Sequence, residues 1–380
     1  MSDSKKGNKR QEEALHSSNH IPKTLVVVGT ETAIFDVSSP VRRRILESVR
    51  SFREVHIIVL CGGDFEEEKV DEHIYLYPTN SSSRIGRVFD AVRIGRSLRR
   101  ADVVTVQDPF ETGLVGLYVA RFFRAAFHVQ VHTDFLSPAY ARHSLLNHAR
   151  VHIAHFVLSR ADGVRVVSER IRNSLLASRW SLKNAPKILP IFVDVQRFRL
   201  PPKENSLRSR FALFMLRVLI VSRLEREKNV ALGISAFASA APNNACLIIV
   251  GGGSEEGSLQ RVARQKNIVE RVFFEGKHDP ASYYAIADLV LFPSKYDGYG
   301  MVIVEALAAG KPVLSTDVGV ARESGAIITS EERYADALKE WFGHGSRSAE
   351  LKNYPYNNFE DYVRAYQDDL AACVRYQKTQ

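Results

Sequence analysis

The sequence predicts an α/β protein of two Rossmann-like, doubly wound parallel-sheet domains facing across a cleft. Three observations predict it. Short apolar segments of strand length recur along the chain, helical patterns separate most of them, and a proline-led polar segment, Pro201-Pro-Lys-Glu-Asn-Ser206, divides two halves of similar plan. Apolar runs that do not alternate are buried on both faces, as in a parallel sheet covered by helices on each side. A chain of 380 residues suits two such domains of about 150–180 residues better than one core.

Residues 1–22 are polar and mixed in charge, and are expected as a flexible tail without the apolar region of a signal peptide. The first domain, 23–200, opens with Thr24-Leu-Val-Val-Val-Gly29, a strand ending in glycine. A helix over 41–52 follows, then strands over 55–60, 73–77, 102–106, 128–132, 163–167 and 187–191. A linker is expected over 201–213 and a second domain over 214–350. Its strands are predicted at 217–222, 245–250, 272–275, 289–293, 312–315 and 326–329, with helices over 230–240, 258–266, 281–287 and 301–309. The remaining segment, 351–380, carries a helix from about 359 to 376 that is expected to pack back toward the first domain.

A hydrophobic content of 45% with 25% charged residues excludes disordered and fibrous classes. Cys61, Cys246 and Cys373 lie far apart in apolar surroundings, and read as buried thiols in a reducing compartment. No segment approaches the ~20 apolar residues that span a bilayer. A cytoplasmic location is therefore expected, with peripheral contact at the inner face of the cell membrane left open. The net charge of +9 is uneven: residues 1–200 hold 30 Lys and Arg against 21 Asp and Glu, and the rest hold 22 of each. One half therefore faces something anionic: a phosphate, a phospholipid surface or a nucleic acid. Nucleic acid is not expected, since no recognised motif is present and aromatics are not interleaved with the basic run. That run, Arg84–Arg100, sets six arginines among apolar residues at helical spacing. It suits an anionic membrane surface, or equally a solvated helix covering the sheet.

The chemistry concentrates in Phe292–Asp317, which reads as strand, glycine-rich turn, helix and short strand. In Asp297-Gly298-Tyr299-Gly300 the glycines allow a tight turn into a helix starting near Met301 and Val302. The free N–H groups and positive dipole end of that helix form a seat for a diphosphate. Asp297 and Glu305 are two carboxylates able to accept hydrogen bonds from different hydroxyls of one sugar nucleotide. They read equally as a helix cap and a satisfied buried acid. After the strand Arg217–Ser222, a loop delivers Arg223 and Lys228 to the same sheet edge, where two cations could neutralise a diphosphate; Glu225 and Glu227 alternate with them, as on a solvated loop. A third turn, Val250-Gly-Gly-Gly253, includes Gly252.

Together, Val221-Ser-Arg-Leu, Lys228, Val250-Gly-Gly-Gly253 and the run from Pro293 to Val313 resemble the donor domain of family 4 retaining glycosyltransferases, a group of GT-B fold that includes glycogen synthase-like and mannosyltransferase-like enzymes. The resemblance implies that Glu305 binds the ribose, that Asp297 contacts the transferred sugar, and that Arg223 and Lys228 hold the diphosphate. The family usually has Glu where this chain has Asp297. In the first half, Gln107–Gly113, Val129–His132, Ala161–Ser168 and Ile191–Phe198 fall where the family's acceptor-domain motifs fall. There His132 matches a histidine that reaches the donor sugar, and Gly29 stands where the family usually carries a Gly-Gly pair. The implied activity moves a hexose from a UDP- or GDP-linked donor to a glycan or lipid-linked acceptor with retention. No Asp-x-Asp occurs, so neither a metal nor a further cofactor is expected. Two other readings stay open: a sugar-nucleotide epimerase on the same fold, and a catalytically silent glycosyltransferase-like subunit.

Overall fold

The computed structural model describes residues 23–200 and 206–379. The expected tail, 1–22, and the first part of the expected linker, 201–205, lie outside the described residues. The chain forms two compact units: one runs to Leu189 and resumes at Asn358, the other is Pro190–Asn357.

In the first unit the strands are β1 (Thr24–Gly29), β2 (Glu54–Val59), β3 (Glu68–Lys69), β4 (Ile74–Pro78), β5 (Val103–Val106), β6 (Ala126–Val131), β7 (Gly163–Val166) and β8 (Lys187–Ile188). They lie in the order β3-β4-β2-β1-β5-β6-β7-β8. Every neighbouring pair is parallel except β3 and β4. The second unit has β9 (Leu216–Val221), β10 (Ala245–Val250), β11 (Val272–Gly276), β12 (Leu289–Phe292), β13 (Val313–Ser315) and β14 (Ile327–Ile328), in the all-parallel order β11-β10-β9-β12-β13-β14. Each sheet winds outward from its first strand, one way and then the other. The reversal points, β1 beside β5 and β9 beside β12, are where open α/β sheets leave a ligand crevice at their carboxyl edge.

Continuous apolar strands are explained by cover on both faces. In β9, Val218 and Ile220 join one core with Phe237, Tyr334 and Trp341. Leu219 joins the opposite core with Tyr284, Ile303 and Leu307. Cys61, Cys246 and Cys373 are buried and free. No sequence pattern announces β3, a two-residue antiparallel edge whose Glu68 pairs with Arg42. The edge strands β8 and β14 are each two residues long, shorter than expected.

The second unit begins at Pro190, ahead of the proline-led segment. The helix Val195–Arg199 packs on the helix Met301–Ala308. The Tyr354 hydroxyl accepts from Val193 N at 2.6 Å and lies 2.9 Å from its carbonyl, and the Tyr356 hydroxyl donates to Pro190 O at 3.1 Å. The helix Phe359–Thr379 belongs to the first unit, placing Tyr366, Leu370 and Cys373 in one core with Leu25, Val27 and Val103. Polar contacts fix its register. Asp369 Oδ2 lies 3.0 Å from His128 Nε2, and the buried Arg165 guanidinium sits 5.5 and 5.3 Å from the ring centres of Tyr362 and Tyr366.

Candidate active site

The loops leaving β9 and β12 carry the predicted donor residues at the reversal point of the second sheet. The first loop is shaped by glycines of the turn after β10. Gly251 has φ +133°, and a Cβ there would lie 1.8 Å from the Ser222 carbonyl oxygen; one at Gly253 would lie 2.5 Å from that of Leu224. Backbone bonds from Ser222 N to Val250 O (3.0 Å) and from Leu224 N to Gly252 O (3.1 Å) hold the loop against this turn. Gly252, singled out from the sequence, is the roomier position, with Lys277 Cε at 3.4 Å from an added Cβ. The demand for glycine falls on its two neighbours.

Lys228 Nζ donates to Asp297 Oδ2 at 2.5 Å, with both side chains 15% exposed. Asp297 Oδ1 accepts from Tyr299 N at 3.2 Å, which orients the carboxylate. The two loops are stitched by Lys295 N donating to Glu227 O at 2.8 Å. Arg223 donates to Glu227 Oε1 at 3.1 Å, yet is 71% exposed and has room to turn toward a ligand. Gly300, at φ +85°, precedes the helix Met301–Ala308, whose first turn no side chain caps. Its leading N–H groups, at half-buried Met301 and Val302, have no acceptor within the helix and present positive charge at this edge. Gly298 precedes them in the same turn. Tyr299 contributes shape rather than a ligand group: its ring is 3% exposed, burial pushes its phenol well above the usual range, and its carbonyl accepts from Val320 N at 2.8 Å.

Glu305 lies further along the same helix and is held separately. Its Oε2 accepts from the Tyr284 hydroxyl at 2.8 Å. Burial raises its pKa above the ordinary 4.5, opposed by the Tyr284 bond and the nearby Arg197. The structure thus joins Lys228 to Asp297 directly, fixes Arg223 beside them through Glu227, and gives Glu305 its own partner. Tyr284 has no motif signal, being 21 positions from Glu305 on the helix Ala281–Ile286. Among the described residues, no group of three or more His, Cys, Asp or Glu is placed to hold a metal ion.

His132 and Gly29 belong to the first unit, at the carboxyl ends of β6 and β1. His132 Nε2 lies 3.2 Å from Gln130 Oε1, which also accepts from Arg165 at 3.0 Å. Since that oxygen can only accept, Nε2 carries the proton and Nδ1 is left as an acceptor. Burial, then Arg165 and Arg44, push the imidazole down to about 3, so it is neutral near pH 7 and serves as a hydrogen-bonding group. Gly29 makes room for Gln107, whose Oε1 would lie 2.3 Å from a Cβ there. The following turn is closed by Glu31 accepting from Ala33 N at 3.0 Å.

Two parallel-sheet α/β units of this topology place the chain in the GT-B class. The sequence model of the family "Glycosyl transferases group 1" matches residues 215–357, and that of "Glycosyltransferase Family 4" matches residues 49–197. The chain belongs to family 4 of the GT-B glycosyltransferases. It is 28% identical over 228 residues to the alpha-monoglucosyldiacylglycerol synthase of Streptococcus pneumoniae, covering 56% of this chain and 51% of that protein. It is 31% identical over 213 residues to a GDP-mannose-dependent alpha-(1-6)-phosphatidylinositol monomannoside mannosyltransferase of Mycobacterium tuberculosis, covering 50% of this chain and 55% of the relative. The match thus spans about half the length of these relatives. Anabaena HepE, solved with UDP and glucose, has the same fold at TM-score 0.67 and 18% identity, covering 94% of this chain and 98% of HepE. Sucrose-phosphate synthase from Thermosynechococcus elongatus gives 0.70 at 17% identity, over 94% and 98% of the two chains.

Proposed function

We propose that this protein transfers a hexose from a UDP- or GDP-linked donor to a glycan or lipid-linked acceptor, with retention and without a metal. The observation that carries this reading is the Lys228–Asp297 pair set beside the uncapped start of the helix Met301–Ala308. Negative charge develops on the departing diphosphate; Lys228 and the first helical N–H groups are fixed donors for it, and exposed Arg223 can turn toward it. Asp297 accepts from hydroxyls of the transferred sugar, and Glu305 from the ribose. The acceptor oxygen bonds to the anomeric carbon as the carbon–oxygen bond to phosphate breaks, and the acceptor proton passes to the leaving phosphate. The named relatives include enzymes of glycolipid synthesis, which favours an acceptor anchored in lipid. No helix among the described residues is long and apolar enough to cross a membrane. A cytoplasmic location with peripheral attachment through Arg84–Arg100 completes the reading.

Thermal shift with UDP-, GDP- and ADP-sugars tests the donor. One nucleotide class is expected to raise the melting temperature by several degrees when well above its Kd, and Glu305→Ala is expected to abolish that rise. An undiminished rise in the variant removes the ribose assignment. Product analysis separates transfer or hydrolysis from an isomerised sugar, which would mark an epimerase. Absence of binding by every nucleotide would mark a silent subunit.

The raised pKa of Glu305 gives a pH dependence of known sign. Burial in the apo protein shifts its balance toward the protonated form, whereas two ribose hydroxyls are best accepted by the ionised form. Nucleotide affinity should be full above the raised pKa and weaken as pH falls through it, at a pH above the ordinary 4.5. Calorimetric titration across that range should show the inflection in the native protein and lose it in Glu305→Gln. The same inflection in the variant would assign it to another group.

A further inference from the structure

We infer that the outer helical face of the first unit docks on an anionic lipid bilayer, seated by an apolar groove rather than by the arginine run alone. The helices Arg84–Ser97, Glu111–Phe123 and Leu145–Leu158 pack in sequence, the second touching both others. Near their starts Ile85, Val88, Phe89, Leu114 and Leu146 line an open groove of about 570 Å³. Ile85 and Phe89 are each 72% exposed and Leu145 at its margin is 92% exposed. Water solvates protruding aliphatic and aromatic groups poorly, so such a patch marks a contact surface.

Charge identifies the occupant. These three helices with Pro138–His143 carry seven arginines and four histidines, against two acids, Asp90 and Glu111. Both acids are engaged already: Asp90 by Ser81 and Arg93, Glu111 by Arg150. The exposed positive charge includes Arg84, Arg96 and the Asp90-paired Arg93, and Arg96 lies over the ring of half-exposed Phe122 at 5.5 Å. Protruding apolar groups on helices that also carry exposed arginines suit an interface of hydrocarbon beneath phosphate. A nucleic acid would meet the arginines and leave Ile85 and Leu145 without partners.

The inference deepens the membrane part of the proposed function, but it is read without substrate and so can fail apart from the donor chemistry. The protein is sedimented with vesicles of phosphatidylcholine alone, and with vesicles of equal parts phosphatidylcholine and phosphatidylglycerol. Binding to the anionic vesicles should be at least about tenfold tighter, since each arginine near such a surface contributes several-fold. Arg84→Gln with Arg93→Gln should erase most of the preference. Ile85→Ser with Phe89→Ser should weaken binding to both vesicle types while the melting temperature is kept. Equal binding to both vesicle types overturns the inference. So does full binding by the Ile85→Ser, Phe89→Ser variant, or a concentration-dependent dimer in lipid-free solution that this variant abolishes, which would make a second copy the occupant.

Discussion

Replacing Lys228 by alanine is expected to lower turnover by about two to three orders of magnitude, the usual cost of removing one fixed donor to developing negative charge. Lys228 acts twice in the structure. It holds the Asp297 carboxylate at 2.5 Å and brings an ammonium to the edge where the helix Met301–Ala308 begins. Both roles end in the variant, and Asp297 keeps its bond from Tyr299 N. The pair is partly exposed, so the variant should stay folded, with a melting temperature within a few degrees of the native protein. A double variant with Asp297→Ala should be little worse than Lys228→Ala alone, because residues acting as one unit do not add. Initial rates with the donor found by thermal shift decide it. Turnover within threefold of native would remove Lys228 from the reaction, and fully additive losses would show that the two side chains work independently.

A second large effect should follow from Gly251→Ala. The backbone there has φ +133°, and the new methyl would sit 1.8 Å from the Ser222 carbonyl oxygen, so either the turn or the β9 loop must move. Such strain costs on the order of 2–4 kcal/mol, which lowers the melting temperature of a unit the size of Pro190–Asn357 by roughly 5–15 °C. Moving Ser222–Leu224 also displaces Arg223, so nucleotide affinity should fall with stability. Gly252→Ala is the internal control, since it adds the same methyl where the nearest atom is 3.4 Å away, and it should be close to neutral. Similar losses in both variants would show that the turn tolerates no side chain anywhere, and that the carbonyl clash is not the cause.

The sheets were legible because their central strands, such as β1, β5, β6, β10 and β12, are buried on both faces and so read as apolar runs; β10 fell at Ala245–Val250 as expected. The helix Val230–Ala240 was equally plain. What escaped is what local pattern does not encode. Strand β3 is two residues long and has no period. The Tyr284 hydroxyl that holds Glu305 comes from another helix, so no spacing announces it. In Val250-Gly-Gly-Gly253 the composition showed a turn, but only three dimensions show which glycines face a carbonyl. Arg165 read as one polar letter in a strand, and its burial against Tyr362 and Tyr366 depends on residues nearly 200 positions away.

The placement of Phe359–Thr379 in the first unit makes the second unit, in chain order, an insertion within the first. A ribosome delivers the amino end first, so Pro190–Asn357 can finish folding while the opening sheet still waits for its cover. Leu25, Val27 and Val103 stay without Tyr366 and Leu370 until Phe359–Thr379 has been made. Nascent protein would be most vulnerable to proteases and chaperone capture in the first unit, and a premature stop after Asn357 would injure that unit rather than the part just completed.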